Sequence, residues 1–63
     1  MALRWRVTIE DYRTGVYYVY DRDEPRGPAA IRAALAEFEA EHPDAGKYGE
    51  TYGVRRVVDA RSD

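Results

Sequence analysis

Two groups of carboxylates are the residues most able to do chemistry: Glu10 with Asp11, and Asp21, Asp23 and Glu24 in the run DRDE. Paired carboxylates can serve as general acid and general base, but hydrolysis of that kind needs a cleft between them. A chain of 63 residues leaves little room for one. Asp21 and Asp23, at i and i+2, also match a fragment of a calcium loop. The glycine and the later bidentate Glu of that loop are missing at the required spacing. His42 could ligate a metal beside Glu39 or Asp44, yet it is the single histidine and there is no cysteine. A structural zinc site needs Cys or several His. Nucleophilic catalysis lacks its parts as well, because the one serine is Ser62 near the end of the sequence. We therefore expect no enzyme, no metal and no cofactor. The acidic groups read as solvated turn and linker residues, and His42 as a helix C-terminal residue favoured by the helix dipole.

Arginine and tyrosine are the other chemistry-bearing types. There are six tyrosines, and only Lys47 among the ten basic residues is lysine. Tyr and Arg are enriched in the cores of protein interfaces, where Lys is depleted. They are also the residues that stack on bases and grip phosphates in single-stranded nucleic-acid binders. The net charge of −2 argues against broad, non-specific DNA binding, which needs a basic field. Strand GVRRVVDAR offers a local basic strip, opposed by Glu10, Asp11 and Asp59.

The elements that must position these residues are legible from their periods. LRWRVTIE (Leu3–Glu10) alternates, with Leu3, Trp5, Val7 and Ile9 on one face and Arg4, Arg6, Thr8 and Glu10 on the other. That is the pattern of a half-buried strand. DYRTG supplies a turn, with Asp as a side-chain acceptor and Gly15 able to take a positive φ. A second strand, Val16–Asp21, follows as a hairpin. Two registers compete. A four-residue connection sets Val16, Tyr18 and Tyr20 beside Val7 and Ile9, whereas a three-residue loop with a glycine bulge puts Tyr17 and Val19 inside. The first gives the core more apolar area and is preferred. DEPRGP, with two prolines and a glycine, is expected to break the strand and to leave Arg22–Gly27 as a flexible linker, like the tail Ala60–Asp63.

Pro28 suits the first turn of a helix over Pro28–His42, whose stripe is Ile31, Ala34, Leu35, Phe38 and His42. Glu37, Glu39 and Glu41 fall at the negative end of that helix, where carboxylates are mildly unfavourable. PDAGKYGE is a loop, and Tyr52–Ala60 reads as a third strand with a broken alternation: Val54 and Val58 share a face with Arg56, and Val57 lies opposite. A bulge or an edge position accounts for that break. A right-handed crossover places the third strand beside the first. The expected fold is thus one α+β domain, β-β-α-β, with a three-stranded antiparallel sheet in the order 2-1-3 and one helix on one face.

One helix covers one face, so the other stays open. It should carry Arg4, Arg6, Thr8, Arg55 and Val57, with Tyr17 and Val19 in the preferred register. A small domain buries only ~60% of its unfolded surface and gains from association. We expect a protein-binding module, forming a homodimer or meeting a protein partner through that face or through an open edge strand. A sequence-tolerant binder of single-stranded nucleic acid is the rival. No small-molecule substrate is evident. No apolar run reaches the ~18 residues of a membrane span, and the first residues, with arginines at alternate positions, are unlike a signal peptide. These features lead to the expectation of a cytoplasmic accessory protein of bacterial or phage origin.

Overall fold

The computed structural model describes residues 3–46 and 51–59; the expected tail Ala60–Asp63, the end of the third strand at Ala60 and part of the expected loop lie outside them. Four elements follow one another: β1 (Leu3–Asp11), β2 (Val16–Glu24), α1 (Gly27–Glu41) and β3 (Tyr52–Asp59). The strands form one sheet in the order β2-β1-β3, with both pairings antiparallel. The helix packs on one face of it, so this is the small α+β fold expected from the periodicities. No helix among the described residues is long and apolar enough to cross a membrane.

The hairpin takes the four-residue connection. Asp11 pairs with Val16, which sets Ile9 opposite Tyr18 and Val7 opposite Tyr20. Asp11 builds the turn itself: its Oδ1 accepts the Arg13 amide at 2.9 Å, and its carbonyl accepts the Gly15 amide at 2.8 Å. Gly15 closes the turn at φ +74°, a conformation that costs glycine no Cβ clash. Asp11 is buried, at 3% exposure, and is ion-paired with Arg13. The hydrogen-bonded Arg13 guanidinium holds its carboxyl below the ordinary carboxylate range.

β2 does not stop at Asp21. It stays in register through Glu24, so the residues expected to form a linker extend the ladder instead. The reason is cross-strand chemistry: Asp21 lies opposite Arg6, Asp23 opposite Arg4, and the Trp5 indole donates to the Glu24 carbonyl at 3.0 Å. Pro25, which cannot donate to a ladder, follows directly.

In α1 the fully buried residues are Ala30, Ala34 and Phe38, one every four positions. Ile31 and Leu35 flank them, half-buried. These meet Val7, Ile9 and Tyr20 from the sheet to form the core. Phe38 is the hub of an aromatic cluster, with ring centroids of His42, Tyr52 and Tyr18 at 4.5, 4.8 and 5.5 Å. His42 caps the helix, its amide donating to the Phe38 carbonyl at 2.9 Å.

The acidic run at the helix C-terminus has a tertiary explanation. The Tyr20 hydroxyl donates to Glu41 at 2.6 Å, the Tyr52 hydroxyl donates to Glu39, and Arg22 pairs with Glu37. Three carboxylates placed unfavourably for the helix dipole thus tie α1 to β2 and β3.

β3 carries a bulge. Thr8 pairs with Arg56 but Ile9 pairs with Val54, leaving Arg55 as the extra residue. Alternation restarts there, so Val54 and Val57 both face the helix, opposite Ile9 and Val7. Val57 was expected on the open face; it packs against the core instead, and Val58 takes the outer position opposite Arg6.

Candidate contact surface

The open face is a short grid read across the strands. Going from its charged end to the hairpin, the rows are Asp23–Arg4, then Asp21–Arg6–Val58, then Val19–Thr8–Arg56, then Tyr17–Glu10–Gly53. Of the expected surface residues, Arg4, Arg6, Thr8, Tyr17 and Val19 stand on this grid. Arg55 joins them through the bulge, its guanidinium 3.9 Å from Glu10. Val57 does not belong to it, while Val58 and Arg56 do.

The electrostatics differ from those of an arginine-rich patch. Arg6 Nε donates to Asp21 Oδ1 at 2.9 Å and its Nη2 to Oδ2 at 3.2 Å, a two-point contact. Arg4 Nε reaches Asp23 Oδ1 at 3.1 Å. The Arg6 guanidinium pulls the Asp21 carboxyl down, and Asp23 pushes the Arg4 guanidinium up. Exposed pairs of this kind contribute little to stability. Their effect is on the character of the face, whose arginine charge is met from the neighbouring strand. A phosphate would have to displace those carboxylates to reach Arg4 or Arg6.

The apolar part lies elsewhere on the sheet. Tyr12, Val16, Tyr17 and Val19 are the large apolar residues left exposed, at 56, 45, 54 and 57%. All four belong to the β1–β2 hairpin. Tyr17 and Val19 point to the open face, whereas Val16 has helix-side parity yet remains exposed. The Tyr12 ring leans over Gly53, where a Cβ would collide with its hydroxyl. Glycine at position 53 therefore makes room for Tyr12 at the hairpin end of the face.

A depression of about 200 Å³ lies between Arg6, Thr8, Arg56 and Val58, below the ~300–1,000 Å³ usual for such sites. Among the described residues no three His, Cys, Asp or Glu side chains come together as metal ligands. Reading the residues in sequence missed Tyr12 and Val16, and it missed Asp21 and Asp23 as partners of the face arginines. Once the four-residue connection is chosen, those pairings follow by counting outward from the turn. Comparison with protein-family models, curated proteins and solved structures finds no match.

Proposed function

We propose that this chain is a non-enzymatic protein-binding module that self-associates through its open sheet face or through an open edge strand. The observation that carries this reading is the layout of that surface: Arg4 and Arg6 are matched to Asp23 and Asp21 at one end, and the exposed Tyr12, Val16, Tyr17 and Val19 all gather on the hairpin at the other, with Glu10, Arg55 and Arg56 beside them. Uncharged Tyr and Val in contiguous positions are suited to contact with another protein, which removes them from water. The arginine–carboxylate pairing weighs against the nucleic-acid reading, because the face offers phosphates no unopposed row of Arg4 and Arg6.

The test is the molar mass in solution, followed by light scattering over a wide range of protein concentration at low and high salt. Self-association through a tyrosine–valine surface gives a mass that rises with concentration towards twice the 7.3 kDa chain and responds weakly to salt. A concentration-independent monomer overturns the reading. In that event, binding to a single-stranded oligonucleotide that weakens steeply with salt would establish the rival.

A further inference from the structure

The two edges of the sheet are built differently. β3 is interrupted by the bulge at Arg55 and carries Arg55 and Arg56 exposed. Bulges and charged side chains are the devices that keep an edge from pairing with another chain. β2 runs nine residues in unbroken register with β1. Its first five residues, Val16–Tyr20, have no charge, and three of them, Val16, Tyr17 and Val19, are exposed. They lie on both faces of the strand, as the flanks of an edge that meets another strand would.

We propose that two copies of this chain pair antiparallel along β2, with Tyr18 opposite Tyr18 of the second copy, to form a continuous six-stranded sheet. The inference rests on the self-association reading and gives it an element and a register. In a two-fold pairing that keeps the faces continuous, residues equally distant from the central residue, on opposite sides of it, meet. With Tyr18 at the centre, Val16 meets Tyr20 of the second copy on the helix side. On the open side Tyr17 meets Val19. Each of the three exposed apolar residues then gains an apolar partner, and pairs of aromatic with β-branched side chains are among those that stabilise sheets.

The neighbouring registers are worse matched. Centred on Val19, the pairing sets Tyr17 against Asp21 and Val16 against Arg22. Centred on Tyr20, it sets Tyr17 against Asp23 and Val19 against Asp21. Centred on Arg22, it puts Asp21 against Asp23, two like charges directly opposed. Centred on Tyr17, it sets Val19 against Gly15 and Tyr20 against Thr14, which precede the strand. Of these registers only that centred on Tyr18 keeps all of Val16–Tyr20 together, because VYYVY reads as the same Val–Tyr pairs from either copy.

The experiment compares the full chain with Val19→Lys and Val58→Lys, each checked for folding by circular dichroism, using sedimentation equilibrium. Both sites lie on the open side, but only Val19 lies on β2. Val16→Lys, exposed on β2 but on the helix side, is run beside them. A dimer weakened by Val19→Lys but not by Val16→Lys runs through the face and overturns the edge pairing. The expected result is a wild-type dimer whose dissociation constant rises about tenfold or more, at least 1.4 kcal/mol, in Val19→Lys, while Val58→Lys stays near wild type. If Val58→Lys breaks the dimer and Val19→Lys does not, association runs through the face or through β3. This proposal then fails while self-association stands. A wild-type monomer at every concentration removes the underlying reading itself. Register is read separately by mixing Tyr17→Cys with Val19→Cys under mild oxidation, in a chain that has no other cysteine. Directly opposed Cβ atoms are ~4.5–5.5 Å apart and diagonal ones farther. The mixed 17–19 cross-link should therefore exceed both homo-links, and a dominant 19–19 link would overturn the Tyr18 register.

Discussion

The bulge at Arg55 decides which valine of β3 belongs to the core, and exchanging the two valines for aspartate tests it. Val57 lies opposite Val7, which is fully buried, and packs against the core cluster. Burying a whole valine side chain is worth ~1.5–3 kcal/mol, and Val57, partly buried, accounts for about half of that. Val57→Asp also places a carboxylate against apolar neighbours, which adds about 1–3 kcal/mol on the scale of protein mutational data. The sum is roughly 2–4 kcal/mol. For a domain of this size the whole stability is of order 3–9 kcal/mol, and each kcal/mol moves the melting temperature by about 4–8 °C. Val57→Asp should therefore lower the Tm by roughly 10–30 °C or leave the chain unfolded. Val58→Asp should cost less, about 1 kcal/mol, because Val58, though also partly buried, lies on the open face beside Arg6 and Arg56, where a carboxylate meets arginines rather than the core. Thermal melts followed by far-ultraviolet circular dichroism, at matched protein concentration, distinguish the two. If Val58→Asp is the damaging change, alternation is unbroken through β3 and the bulge is wrong.

Three further predictions concern the hairpin and the aromatic cluster. Gly15→Val should destabilise by about 1–2 kcal/mol, the cost of a side chain at positive φ, and an unchanged Tm would refute the turn. Tyr18→Asp should damage folding, because Tyr18 packs against Phe38 and His42, whereas Tyr17→Asp should leave the fold intact and impair only association; equal Tm losses would overturn that division. Tyr20 has its phenol pushed up from 10.0 to about 12 by burial and by its bond to Glu41. A raised folded-state pKa means that its contribution is fully present below pH 10.0 and is lost as pH rises from there towards about 12. Ultraviolet titration of phenolate should show Tyr20 late, with Tyr52 also raised by its bond to Glu39. The late component should shrink in Tyr20→Phe, whose stability should fall less steeply over that range than in the wild type.

The hairpin was readable because its evidence is local. Asp11 and Gly15 mark the turn, the alternation of Leu3–Glu10 marks the face, and the four-residue connection determines every pairing along β2. The end of β2 is not legible from its prolines alone: Arg4 and Arg6 sit where they can hold Asp23 and Asp21, and the ladder runs up to Pro25. On β3 strict alternation grouped Val54, Arg56 and Val58, whereas a spacing of three between two core valines, Val54 and Val57, is the mark of one extra residue. The same break in alternation is why Val57 lies off the open side, whereas Arg4, Arg6, Thr8, Tyr17 and Val19 lie on it, their positions depending only on β1 and the hairpin. The role of Glu37, Glu39 and Glu41 was out of reach, because their partners Arg22, Tyr52 and Tyr20 are brought to them by tertiary packing alone.

Those three helix-to-strand ties bear on how the molecule opens. They run to the two outer strands, while the central strand is held by its neighbours on both sides. Peeling β2 away would break the Tyr20–Glu41 and Arg22–Glu37 contacts, and peeling β3 would break Tyr52–Glu39. Fraying is thereby coupled to undocking of the helix. The amides of β2 and β3 that donate to β1 should then exchange in step with those of the centre, while the outward-facing edge amides exchange fast; the border of the sheet behaves as a stiff template rather than a loose fringe.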